Sequence, residues 1–272
     1  MKNVTALGRC FFALAAIGSG IQQLVRADFV RLVPKLPAWL PWHPFLACAV
    51  GVVLIAAGTA ILVGYMSRRG AIAVGALLLV TFVFQRLPEI ASNPLAGFMW
   101  TNPCKVLALL SGALMLATQA PGEAAAGSDW ANKLLPLGPI LLGVFLLVCG
   151  FQHFYYAGFV DTLVPTWLPQ PRFWTYFAGT CLLAGGLGLL IPKTMRWAAI
   201  MSGIMVFLWV FLLHIPRAVT MTQDPGETSA IFEALAISGV AFLVAGVRST
   251  ESTCQLEYET PAAPAAGYRG PG

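Results

Sequence analysis

Apolar residues run in eight long stretches along this 272-residue chain, near 8–25, 45–66, 70–86, 104–120, 134–157, 172–191, 195–215 and 229–247, with short segments rich in Pro, Gly or charge between them. At about 1.5 Å of rise per residue, a helix of about 20 apolar residues crosses a hydrocarbon core of roughly 30 Å. No run alternates polar and apolar positions as a barrel wall would, and backbone in lipid must satisfy its own hydrogen bonds. Each run is therefore expected to be a helix. The pattern predicts an all-α, polytopic membrane protein with eight transmembrane helices.

The connections repeat. "PAWLP" (37–41) and "PTWLP" (165–169) lie 128 positions apart. At that shift Gly51 falls on Gly179, Gly58 on Gly186, Arg68 on Arg196, Gly75 on Gly203, Pro88 on Pro216, and "KVLAL" (105–109) on "EALAI" (233–237). Reading backward, a two-residue insertion aligns Gly20-Ile21-Gln22-Gln23 with Gly150-Phe151-Gln152-His153. The chain thus reads as two tandem four-helix bundles, residues 1–118 and 134–248. Because four is even, both have the same orientation. The segment 119–133, "QAPGEAAAGSDWANK", reads as a cytoplasmic linker, and 249–272 as a disordered tail too polar and Pro-rich to build a core. With Lys2 and Arg9 at its start, followed by the small residues of "GSG", the first run resembles a secretory signal peptide. The repeat instead makes this run one helix of a packed unit, to be kept in the mature chain.

In each Pro-x-Trp-Leu-Pro stretch the prolines withhold amide donors and restrict the preceding residue, so no helix continues through it. Trp prefers the headgroup zone. Pro37, Trp39, Pro41, Pro165, Trp167 and Pro169 are expected to form stiff caps over the outer ends of the bundles. Trp42, Trp100 and Trp174 would join Trp39 and Trp167 in an aromatic belt. Small residues in "GTCLLAGGLGLLIP" (179–192), such as Ala184 and Gly188, suit close helix packing within one bundle, or less readily a seam between two chains.

Few polar groups interrupt the runs, and they gather at one face. Gln22, Gln23, Gln85, Arg86 and Lys105 form a candidate cluster in the first unit. Gln152, His153, His214, Arg217 and Glu233 form one in the second. Ionisable groups at such depth usually face a bundle interior with a partner. Glu233 in "IFEALAI" is expected to pair with His214 or Arg217 of its own unit, while Arg86 and Lys105 have only Glu89 or Asp28 nearby in sequence. Under the repeat Arg86 takes the place of His214, and Lys105 that of Glu233. This inversion of charge suggests that one unit works and the other supports it, or that the first binds an anion. Helix-end residues of this kind also serve as plain interfacial anchors.

Composition agrees with a membrane class. Hydrophobic residues make up 58% of the chain, charged residues 10%, and the mean hydropathy is +0.78. The net charge of +5 is mainly a topology signal: nine Lys and Arg residues fall on the side of the termini and seven opposite. This excess places both termini in the cytoplasm and the chain in the plasma (cytoplasmic) membrane. No clustered basic and aromatic face suggests nucleic acid. The six cysteines show neither CxxC nor zinc spacing, and no metal site is expected. Cys10, Cys149 and Cys181 read as small packing residues, whereas Cys48 and Cys104 near one mouth are candidates for a disulfide.

"GFQHF" (150–154), "FVDTLVPTWLP" (159–169), "GTCLLAGGLGLLIPKTMRWAA" (179–199), "HIP" (214–216) and "FEALAISGVAFLVAG" (232–246) together resemble the DoxX-like integral membrane family. The first half resembles it through "PAWLP" and the aligned glycines. The resemblance implies a four-helix bundle as the unit and a link to membrane redox systems with protein partners; no catalytic residue carries over. Three functions compete. The foremost is a non-catalytic subunit that anchors or assembles membrane-associated partners. The second is a quinone-interacting subunit of an oxidoreductase, in which His153 and His214 hydrogen-bond the quinone carbonyls and Glu233 exchanges protons; a quinone needs an apolar slot with a donor at each oxygen. The third is a small-solute carrier, for which the polar residues lie at one face rather than at a midplane break. Haem b held by His153 and His214 is the least favoured cofactor, since it needs both imidazoles at one depth on facing helices.

Overall fold

A computed structural model describes residues 2–30, 39, 41–119 and 133–247, and its elements are all helical. The first half contains α1 (Lys2–Arg26), α2 (His43–Val63), α3 (Ser67–Thr81), a π-helical turn (Phe82–Arg86), α4 (Leu87–Ser92), a 3₁₀ turn (Gly97–Trp100) and α5 (Thr101–Gln119). The second contains α6 (Leu137–Tyr155), α7 (Ala157–Asp161), α8 (Pro171–Leu190), α9 (Pro192–Trp209), a second π-helical turn (Val210–His214), α10 (Ile215–Thr220) and α11 (Pro225–Ala245). Among the described residues, seven helical stretches are long and apolar enough to cross a membrane: Asn3–Arg26, His43–Val63, Ser67–Ser92, Leu137–Tyr155, Pro171–Leu190, Pro192–Thr220 and Pro225–Ala245. The eighth run, 104–120, also forms a helix, α5, but its first turn is Thr-Asn-Pro-Cys-Lys and it is not among the seven.

The repeat is visible in backbone irregularities as well as in letters. Both π-helical turns lie at the same 128-residue shift, and so do α4 and α10. Their cause is shared: Pro88 and Pro216 follow each turn, and a proline ring displaces the carbonyl four residues back while offering it no donor. A π turn absorbs the mismatch. Trp42 and Gln170, also equivalent, both take left-handed backbone, φ 68° and 54°, ahead of α2 and α8. The residue that follows each Pro-x-Trp-Leu-Pro stretch thus takes the same left-handed backbone.

Helices pack in chain order around a closed ring: α1 on α2, α2 on α3, α3 on α5, α5 on α6, α6 on α8, α8 on α9, α9 on α11, and α11 back on α1. α5 also touches α11 across the middle. The contacts between halves are reciprocal, because α1 against α11 and α6 against α5 are each a first helix on the fourth helix of the other half. α11, which touches α1, α5, α6 and α9, is the most enclosed of them. The span in α11 is 72% buried, against 28–39% for the other six spans. Its sequence is accordingly rich in Ala, Gly and Ser. At Gly8 and Gly239 the α1 and α11 backbones touch: a Cβ on Gly239 would lie 2.8 Å from the Phe12 amide nitrogen and 2.9 Å from the Gly8 carbonyl oxygen. Gly185 and Gly188 of α8 face Ser202 and Ala198 of α9, which is packing between neighbours within the second half.

The proposed linker (120–132 of it) and the tail lie outside the described residues, as does Pro37. Cys48 and Cys104, the candidates for a disulfide, are both free thiols, and Cys104 is buried in α5.

Candidate functional site

The last turns of α6 and the second π-helical turn converge with α11 on a cavity of about 760 Å³. Gln152 and His153 come from α6, His214 from the π turn, Arg217 from α10 and Glu233 from α11, so the structure brings the five residues of the second cluster to one place. Lys105 enters from α5, a first-half helix, with Thr101 and Asn102. Phe145, Leu146, Leu182, Val206 and Ile237 supply apolar wall, and Phe98, Tyr156 and Phe159 add aromatic faces. A largely apolar chamber with a few convergent polar groups is the usual form of a small-molecule site.

Glu233 does not pair with His214 or Arg217. Its Oε2 meets the Lys105 ammonium, and the two side chains are only 6% and 17% exposed. The reason is the packing of α11 on α5, which turns Glu233 toward the other half. Lys105 and Glu233 are equivalent positions of the repeat, so they face each other where the two halves meet. Arg217 instead binds Glu227 in a fork, Nε at 3.0 Å and Nη2 at 2.7 Å. Glu227 was not among the expected site residues, nor was Thr101.

The histidines differ. The Nδ1 of His153 lies 2.7 Å from the Cys149 carbonyl oxygen, which only accepts, so Nδ1 carries the hydrogen. In the neutral ring Nε2 is then a bare acceptor, not the carbonyl donor the sequence suggested. The ring stacks on Trp209 at 6.4 Å, which holds its orientation. His214 makes no hydrogen bond to the described residues, and its ring borders the cavity. It has one donor and one acceptor nitrogen to offer.

Gln152 is committed elsewhere. It donates to the Gly97 carbonyl at 2.8 Å and accepts from Thr101 Oγ1 at 2.6 Å. Gln22 donates to the Pro225 carbonyl at 2.9 Å and accepts from Ser229 Oγ at 3.2 Å. Gly97 and Pro225, and Thr101 and Ser229, are again equivalent under the repeat. Each glutamine therefore ties its own first helix to the start of the opposite half's fourth. Gln23 donates to the Ala47 carbonyl at 2.6 Å, fastening α1 to α2.

The first cluster is divided. Gln85 and Arg86 border a separate pocket of about 510 Å³ with Arg26, Asp28 and the start of α11. Arg86 is buried and bonds Glu89 with both carboxylate oxygens, at 2.9 and 3.1 Å. Lys105 belongs to the other cavity. Of the cap segment, Pro165, Trp167 and Leu168 border an apolar groove between α8 and α9 rather than the polar cavity. They sit there because the segment runs into α8, where Trp174 Nε1 donates to the Pro169 carbonyl at 3.0 Å. Trp39 and Pro41 are exposed. Among the described residues no group of three or more His, Cys, Asp and Glu could hold a metal ion.

The profile of a family described as a domain of unknown function (DUF8561) matches residues 142–249, the part of the chain that carries most of the cavity. No curated protein and no solved structure matches the chain.

Proposed function

We propose that the chain is an eight-span protein of the cytoplasmic membrane, two DoxX-like four-helix units in the same orientation with both termini cytoplasmic, and that its second half binds the headgroup of a membrane quinone. The reciprocal contacts between halves and the paired π turns support the duplication. The placement of His153 and His214 around one chamber with a buried ion pair carries the functional reading. Both histidines retain capacity for a ligand: His153 accepts from a hydroxyl at Nε2, and His214 donates to a carbonyl or accepts from a hydroxyl. The reduced ring, a quinol, thus satisfies both histidines, with Glu233 Oε1 left as a further acceptor beside the Lys105 charge. Purified full-length protein in nanodiscs is expected to give a quinol-dependent difference spectrum that His214→Ala abolishes. Unchanged binding in that variant would refute the reading.

A second reading is a non-catalytic subunit that assembles membrane partners. It is favoured by the internal use of Gln22, Gln152, Arg86 and Arg217, whose bonds close within the chain. It predicts a partner protein that co-purifies in fixed ratio and a cavity that binds no quinol.

A further inference from the structure

An apolar groove of about 1070 Å³ runs between α8 and α9 on the face of the second half away from the first. Its floor is made by small residues. A Cβ on Gly188 would lie 2.7 Å from the Ala198 Cβ, so the two helices approach closely there and leave a furrow above the contact. α8 has 20 residues, about 30 Å of helix, so the furrow can follow the depth of a hydrocarbon core. Toward α6 the groove abuts the polar cavity. His153, Val160, Leu163, Trp209 and Leu213 line both it and the polar cavity. Groove and cavity therefore share one wall, which includes His153, with charged and hydrogen-bonding groups on one side and a mainly apolar furrow that also carries Thr175, Thr194 and Ser202 on the other.

We propose that the cavity takes its ligand sideways from the bilayer, and that the ligand is an amphiphile whose hydroxyl-bearing ring sits at His153 while its hydrocarbon chain lies in the α8–α9 groove. The inference rests on the quinone-headgroup reading. It assigns the chain, the path and the boundary residue. The shared wall decides the occupant: a second copy of the protein would cover the groove alone, whereas one molecule with a polar head and an apolar chain uses both adjoining spaces. A ring that enters from the bilayer with its chain in the groove keeps that chain in apolar surroundings throughout, so no methylene has to pass into water.

The test compares duroquinol, which has no chain, with an analogue bearing a long alkyl chain that ends in a photoreactive diazirine, on full-length protein in nanodiscs. The variant is Ala184→Trp: Ala184 is exposed on the groove, so the larger ring fills the furrow rather than the core. The expected result is binding of both probes by the unaltered protein and crosslinks to α8 and α9. In Ala184→Trp the indole occupies the space of the chain, so the chain-bearing probe should weaken by about tenfold or more, while duroquinol, which also reports a folded cavity, is unchanged. Equal affinity for the long-chain probe in both proteins, with crosslinks elsewhere, would overturn the groove assignment and leave the headgroup site standing. A change of oligomeric state in Ala184→Trp without loss of the long-chain probe would give the groove to a second copy and overturn it equally. Failure of the unaltered protein to bind either probe would sink the headgroup reading and this inference with it.

Discussion

Replacing Lys105 by Met leaves the Glu233 carboxylate inside the protein, where its side chain is 6% exposed, without its cation. Breaking one partner of a buried ion pair typically costs about 3–5 kcal/mol, because the remaining charge is neither solvated nor paired. Glu233→Gln removes the anion and should expose Lys105 to a similar, smaller penalty, since the lysine is 17% exposed and its stem can carry the ammonium toward the cavity mouth. The double variant has no uncompensated charge and should recover much of the loss. The coupling in the cycle is therefore expected at about 2 kcal/mol or more. The two positions are equivalent under the repeat, so the charge swap K105E/E233K should also restore most of the stability. Reversible unfolding in mixed micelles of detergent and SDS, followed by tryptophan fluorescence, measures each corner. Additivity within about 0.5 kcal/mol would refute the claim that these residues hold the halves together.

Gln22→Leu and Gln152→Leu should each lower stability by roughly 1 kcal/mol, and by similar amounts, because each removes the same two bonds between halves; unequal losses in the same micelle assay would contradict their equivalence. Gly239→Leu should destabilise by about 1–3 kcal/mol or more, since its Cβ would meet backbone, whereas Gly158→Ala, with nothing within 4 Å, should be neutral. Cys48 and Cys104 should both react with a maleimide in denatured, unreduced protein; a Cys48–Cys104 crosslinked peptide in the digest would contradict the free thiols.

The repeat was legible because prolines and glycines impose local geometry wherever they fall. The same shift that aligns "PAWLP" with "PTWLP" places the π turns, the left-handed Trp42 and Gln170, and the starts of α2 and α8. The second polar cluster was legible too, since charge and imidazole on apolar helices must converge on something. The pairing of Glu233 was not. Sequence shows that Lys105 and Glu233 are equivalent and opposite in charge, but only the ring of helices puts both on the line between the halves. Gln22 and Gln152 misled for a related reason: an amide on an apolar helix reads the same whether it faces a ligand or a neighbouring carbonyl. Thr101 and Ser229 carried the missing signal, as matched hydroxyls at the starts of the fourth helices. His153 needed its Cys149 bond before donor and acceptor could be told apart, and hydropathy carries no trace of that.

The central claim, a quinol headgroup held between His153 and His214, is tested most directly by titrating duroquinol into the purified full-length protein and the His153→Phe and His214→Ala variants in quinone-free nanodiscs. Saturable binding by the unaltered protein and a loss of about tenfold or more in each variant is the predicted result. Binding that is absent, or that survives both substitutions unchanged, would contradict it.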